Sequence, residues 1–129
     1  MEVKEKIEYW LDVSCYDMVT AESMQRSGRY LYTVFMCQQA IEKLLKTLHL
    51  QKDGKEAPFS HNLIYLQSLL DIIPDESYLE LMAELTTYYL EGRYPTYKQK
   101  LSSLITQDKA ADILKKAKEI FQWLKSLLK

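Results

Sequence analysis

The chain has 129 residues, 47% hydrophobic and 27% charged, with a formal net charge of −1. That suits one soluble domain spanning residues 1–129 and gives no overall basic field, leaving only a local patch for contact with nucleic acid. Cys15 and Cys37 lack ligand spacing, the charged start Met1-Glu2-Val3-Lys4-Glu5-Lys6 has no apolar signal core, and no run reaches the ~20 apolar residues of a membrane span; reduced thiols, no metal, no cofactor, no membrane contact and a cytoplasmic location are therefore expected.

Three glycines and three prolines punctuate apolar residues that recur at helical spacing. Val3, Ile7, Trp10, Ser14, Met18 and Ala21 share one face of a first helix over about Val3 to Arg26, and Gly28 permits the turn that follows. A second helix, about Tyr30 to Gln51, carries the stripe Val34, Cys37, Ile41, Leu44, Leu45 and Leu48 and ends in the loop of Gly54 and Pro58. Ser60 is positioned to cap a third helix reaching Ile72. Pro74-Asp75 opens a fourth, in which Tyr78, Leu81, Met82, Leu85 and Tyr89 face inward and Glu80, Glu84, Thr87 and Glu91 face away, until Gly92 and Pro95 stop it. Thr106 caps a last helix with Ile113, Ala117, Ile120, Phe121, Leu124 and Leu128 on one face. The pattern predicts an all-α, up-and-down antiparallel bundle of about five helices around a four-helix core.

Three places depart from a plain bundle. On the second helix Gln39, Glu42, Lys43 and Lys46 lie opposite the apolar stripe, within about 100° of arc; they form either a solvated face or the polar wall of a cleft. Asp17 falls at the edge of the apolar face of the first helix, where a buried carboxylate needs a partner, with Lys43 and Arg93 as candidates. The third place is Arg93-Tyr94-Pro95-Thr96-Tyr97. Proline pushes Tyr94 toward extended backbone, which frees the Arg93 guanidinium to reach sideways. Its planar fork suits phosphate, and Tyr88, Tyr94 and Tyr97 offer stacking faces or hydroxyls; the alternative is an arginine capping the carbonyl end of the fourth helix.

Trp10, Asp17-Met18 with Ala21 and Met24, Gly28-Arg29-Tyr30, Gln38-Gln39-Ala40-Ile41-Glu42-Lys43-Leu44-Leu45-Lys46, Ser60-His61-Asn62-Leu63 and Glu91-Gly92-Arg93-Tyr94-Pro95 occur in that order. Together they resemble the HEPN domain family over nearly the whole chain. The resemblance implies an antiparallel helical bundle that commonly forms a homodimer, often beside a minimal nucleotidyltransferase on a separate chain. Some such proteins are metal-independent endoribonucleases, often toxins, and others are non-catalytic nucleotide- or partner-binding modules.

The ribonuclease branch pairs an arginine with a histidine four to six residues later. There the arginine would hold the scissile phosphate, and the histidine would move protons to and from the reacting oxygens. After Arg93 this chain has Tyr94, Pro95, Thr96, Tyr97, Lys98, Gln99 and Lys100, so the pair carries over by half.

The expected function is accordingly a nucleotide- or RNA-phosphate-binding module working with a nucleotidyltransferase in a toxin-antitoxin-like pair. Arg93 would contact phosphate, with Lys43 and Lys46 adding positive charge. Tyr94 and Tyr97 would stack or hydrogen-bond, and Gln39, Asp17 and Glu42 would line the site and orient its basic groups. One alternative is a degenerate endoribonuclease using Arg93 with His61 or Tyr97; a histidine anchoring the loop is the plainer reading of His61, and His49 reads as structural. The other is a non-catalytic dimeric adaptor, with Trp123 either an interface anchor or a cover for the loop after Arg93.

Overall fold

The computed structural model describes Glu2 to Lys129, apart from the side chains of Pro95, Tyr97 and Lys98; the expectations for Tyr97 fall outside the described residues. Its helices are α1 (Val3–Arg26), α2 (Tyr30–Asp53), α3 (Leu63–Ser68), α4 (Glu76–Glu91), α5 (Pro95–Leu104) and α6 (Gln107–Ser126). The all-α bundle is as expected, with one helix more than the five read from the sequence.

Helix α2 is the centre, packed by α1, α3, α4, α5 and α6. Its Val34, Cys37, Ala40, Ile41 and Leu44 are wholly removed from solvent, and burial of each large aliphatic side chain contributes about 1.5–3 kcal/mol before entropy is counted. Gly28 at φ +80° makes the turn into α2, and Gly54 at φ +71° ends it with its N–H on the Leu50 carbonyl, a left-handed exit that a Cβ would disfavour.

Two local readings change. Helix α3 is shorter than Ser60 to Ile72, and its cap is Asn62, whose side chain accepts from the N–H groups of Ile64 and Tyr65. Ser60 instead accepts from the Asn62 N–H at 3.1 Å, an ST-turn leading into the cap. The stretch after Arg93 is helical. Tyr94 is extended, at φ −103° and ψ 130°, and serves as N-cap of α5, because Pro95 supplies the preset φ and missing N–H that suit a first helical residue. Proline thus opens a helix here; Gly92 is the residue that ends α4. Thr106 caps α6 as expected, accepting from the Lys109 N–H.

Among the described residues no helix is long and apolar enough to cross a membrane, and no group of three His, Cys, Asp or Glu side chains is gathered to hold a metal ion.

Candidate functional site

The polar arc of α2 is an interior seam. Glu42 is 3% exposed, so its carboxylate requires full pairing. One oxygen accepts from Lys46 Nζ at 3.0 Å; the other accepts from Gln38 Nε2 at 3.0 Å and lies 2.8 Å from His61 Nδ1. A carboxylate offers only acceptors, so His61 Nδ1 carries the proton in this contact and Nε2 is the remaining ring nitrogen. Gln38 also donates to the His61 carbonyl at 2.9 Å, and its own oxygen accepts from Gln39 Nε2 at 2.8 Å. Every polar atom of this fully buried amide is satisfied.

The arc is therefore walled on one side by the Ser60-His61-Asn62 segment. On its α1 side Asp17, 6% exposed, accepts from Lys43 Nζ at 2.6 Å. Of the two partners considered for Asp17, Lys43 is the one found. Both lysines expected to add positive charge are thus bound to carboxylates, which neutralises them locally.

Arg93 lies past the end of α4, exposed, with no carboxylate of the described residues on its guanidinium. The seam itself continues as a row of aromatic rings. Tyr32 meets Phe35, Phe35 meets Tyr89, Tyr89 meets His61 at 5.1 Å, and His61 meets Phe59 at 5.4 Å. Tyr89 precedes Arg93 by one helical turn. Burial and the Glu42 carboxylate push the Tyr89 phenol up, and the Arg93 charge partly offsets them; it is a neutral donor near pH 7. Gly92 is needed for this row, since a Cβ there would lie 2.1 Å from Phe35 Cζ.

The other candidates sit elsewhere. His49 bonds the Lys55 carbonyl at 3.0 Å and faces Asp53 at 3.4 Å, closing the end of α2. Trp123 meets Tyr78 at a tilt, with centroids 5.7 Å apart, and borders a groove with Ile73 and Pro74, so it covers the α3–α4 connection and not the loop after Arg93. Tyr88 donates to Glu84, which also accepts from Lys109 at 2.8 Å. Cys37 is buried, which pushes its thiol up to about 12 and makes it inert.

Sequence reasoning did not assign site roles to Gln38, Tyr89 or Phe59. Gln38, Glu42 and Lys46 recur every four residues, a signal that one helical row carries the polar contacts. Phe59 has no such signal, since an aromatic after proline in a polar loop has no periodicity to place it.

Fold and seam define a class: an all-helical bundle whose central helix supplies a buried carboxylate paired with lysine and histidine, with an exposed arginine past the end of α4. The chain belongs to the HEPN domain family, whose model matches residues 7–127. It is similar to TT1696 from Thermus thermophilus, with 25% identity, 95% of this chain and 98% of that one covered, and a TM-score of 0.82. The archaeal HEPN homologue ST0689 is similar at 26% identity over the same shares, with a TM-score of 0.75. No curated protein matches significantly. Membership places the chain among nucleotide- and RNA-related HEPN modules.

Proposed function

We propose that the protein binds the phosphate of a nucleotide or RNA at Arg93, as a homodimeric cytoplasmic module working with a minimal nucleotidyltransferase on a separate chain in a toxin-antitoxin-like pair. The observation that carries the phosphate reading is the contrast in pairing. Asp17 and Glu42 occupy Lys43 and Lys46, whereas the exposed Arg93 fork meets no carboxylate of the described residues. Tyr94, next in sequence and 63% exposed, offers a ring face to the same ligand, and Gln39, Asp17 and Glu42 line the site. Calorimetric titration with ATP and with a short single-stranded RNA tests this. Arg93→Ala weakens binding roughly 10- to 150-fold, the equivalent of the ~1.5–3 kcal/mol of a charged hydrogen bond; equal binding by the two proteins overturns it.

A second reading, a metal-independent endoribonuclease, is favoured by one contact. Glu42 orients His61 at 2.8 Å, and His61 lies on Tyr89, a turn before Arg93. In that reading Nε2 moves the proton while Arg93 holds the phosphate. RNA cleaved by the wild type and spared by His61→Ala supports it; RNA left intact by concentrated wild-type protein rejects it.

A further inference from the structure

We propose that Phe59 and the groove beside it form a stacking shelf for an unpaired nucleobase, so that the ligand is a short single strand and not an isolated phosphate. The inference rests on the phosphate reading of Arg93.

Phe59 is 90% exposed and contributes nothing to the core, yet its ring is held. His61 meets it at 69° with centroids 5.4 Å apart, and Lys46 Nζ stands over it at 5.9 Å from the centroid. An aromatic face left in water beside a cation is an arrangement on which bases stack without sequence preference. Beside it lies a groove of about 290 Å³ lined by Trp10, Lys46, Leu50, Glu56, Ala57 and Phe59. Two aromatic side chains and two aliphatic ones match the apolar faces of a base, and the Glu56 carboxylate offers acceptors to the amino group of its polar edge.

The shelf also joins the row of rings that reaches Tyr89 near the end of α4. The same His61 that holds Phe59 lies 5.1 Å from Tyr89, and Arg93 follows Tyr89 by one turn. Lys46 gives one side to Glu42 and the other to Phe59, so it serves the shelf with its charge partly balanced. That favours a base carrying a single backbone phosphate over a densely charged polyphosphate.

The test uses the full chain and an adenosine trinucleotide with 2-aminopurine in place of one base, alongside an abasic ribose-phosphate trimer. In the wild type, binding quenches the 2-aminopurine emission. Phe59→Ala relieves the quenching and weakens trinucleotide binding roughly 5- to 150-fold, the equivalent of ~1–3 kcal/mol per stacked base. It leaves the abasic trimer unaffected, and Phe59→Trp retains both affinity and quenching. Arg93→Ala weakens both ligands. Trinucleotide binding by Phe59→Ala equal to wild type, while Arg93→Ala loses it, overturns the shelf and leaves the phosphate reading standing. Equal losses of both ligands in Phe59→Ala assign the ring a structural role and also overturn the shelf. Failure of the wild type to bind either ligand, or full binding by Arg93→Ala, overturns both.

Discussion

Replacing Glu42 by glutamine removes one charge from the seam at almost constant shape. The new amide must turn its NH2 toward one side. Facing Lys46 it opposes an ammonium; facing the other way it opposes the donors of Gln38 and His61, which now converge on a single carboxylate oxygen. Removing one partner of a buried ion pair costs about 3–5 kcal/mol. Lys46 keeps 15% of its side chain exposed and can lift its ammonium toward water along its flexible stem, which places the expected loss nearer ~2–3 kcal/mol. For a chain of this size that lowers Tm by roughly 10 °C and removes a large share of a typical 5–15 kcal/mol stability. Urea unfolding followed by circular dichroism measures it as a lower midpoint with unchanged m. Adding Lys46→Met to Glu42→Gln recovers part of the loss, since no unpaired ammonium is then left. A loss below about 0.5 kcal/mol for the single substitution would show that the cluster is solvated and that the buried-seam argument is wrong.

Gly92→Ala tests the aromatic row. Restricting the unfolded chain favours alanine by about 0.4–1 kcal/mol, but its Cβ would lie 2.1 Å from Phe35 Cζ and 3.0 Å from the Tyr88 carbonyl oxygen, and overpacking costs about 1–3 kcal/mol. The net expected effect is destabilisation of about 1 kcal/mol in urea unfolding, with the Phe35 ring displaced; a stabilised variant would mean that the ring swings aside freely. The pH dependence has two limbs. Burial alone would raise the Glu84 carboxyl, but bonds from Lys109 and Tyr88 outweigh it and hold it below its ordinary value, so its contribution is present above about pH 4.5 and is lost as pH falls through the folded value. The bond to Glu84 raises Lys109, and burial followed by the same carboxylate raises Tyr88; their contributions are lost only in the alkaline range, as pH rises through the folded values. Glu84→Gln therefore flattens both limbs of a Tm-against-pH curve while changing stability at neutral pH by no more than ~1 kcal/mol, because the pair is partly exposed. Unaltered limbs would contradict the assignment.

Much of the bundle was legible because apolar spacing sets helical faces. Val34, Cys37, Ile41 and Leu44 on α2, and Ile113, Ala117 and Ile120 on α6, are buried as their periodicity requires. The capping residues were harder. Ser60 and Asn62 both suit an N-cap, and only the path of the chain into α3 decides that Asn62 takes the role. Pro95 reads as a stop in sequence, although the same fixed φ that ends one helix begins the next. The polar arc was legible as a row but not as an interior: its burial comes from the Ser60-His61-Asn62 segment folding back over α2, a contact between residues nineteen apart in the case of His61 and Glu42. Nothing local in either segment encodes that pairing.

The pairing also changes what the basic residues of α2 are able to do. Counted in sequence, Lys43, Lys46 and Arg93 make a cationic patch suited to dense negative charge. In the fold the first two each hold a carboxylate, and a polyphosphate would have to break bonds of 2.6 and 3.0 Å to recruit them, leaving the buried Asp17 or Glu42 without its lysine. One arginine is then the net charge of the seam, and a single-phosphate contact on a single strand gives a shallow salt dependence, with a slope near −0.7. A ligand held that way needs most of its affinity from uncharged contacts, and of the rings in the row Phe59, 90% exposed, is the one most open to a ligand.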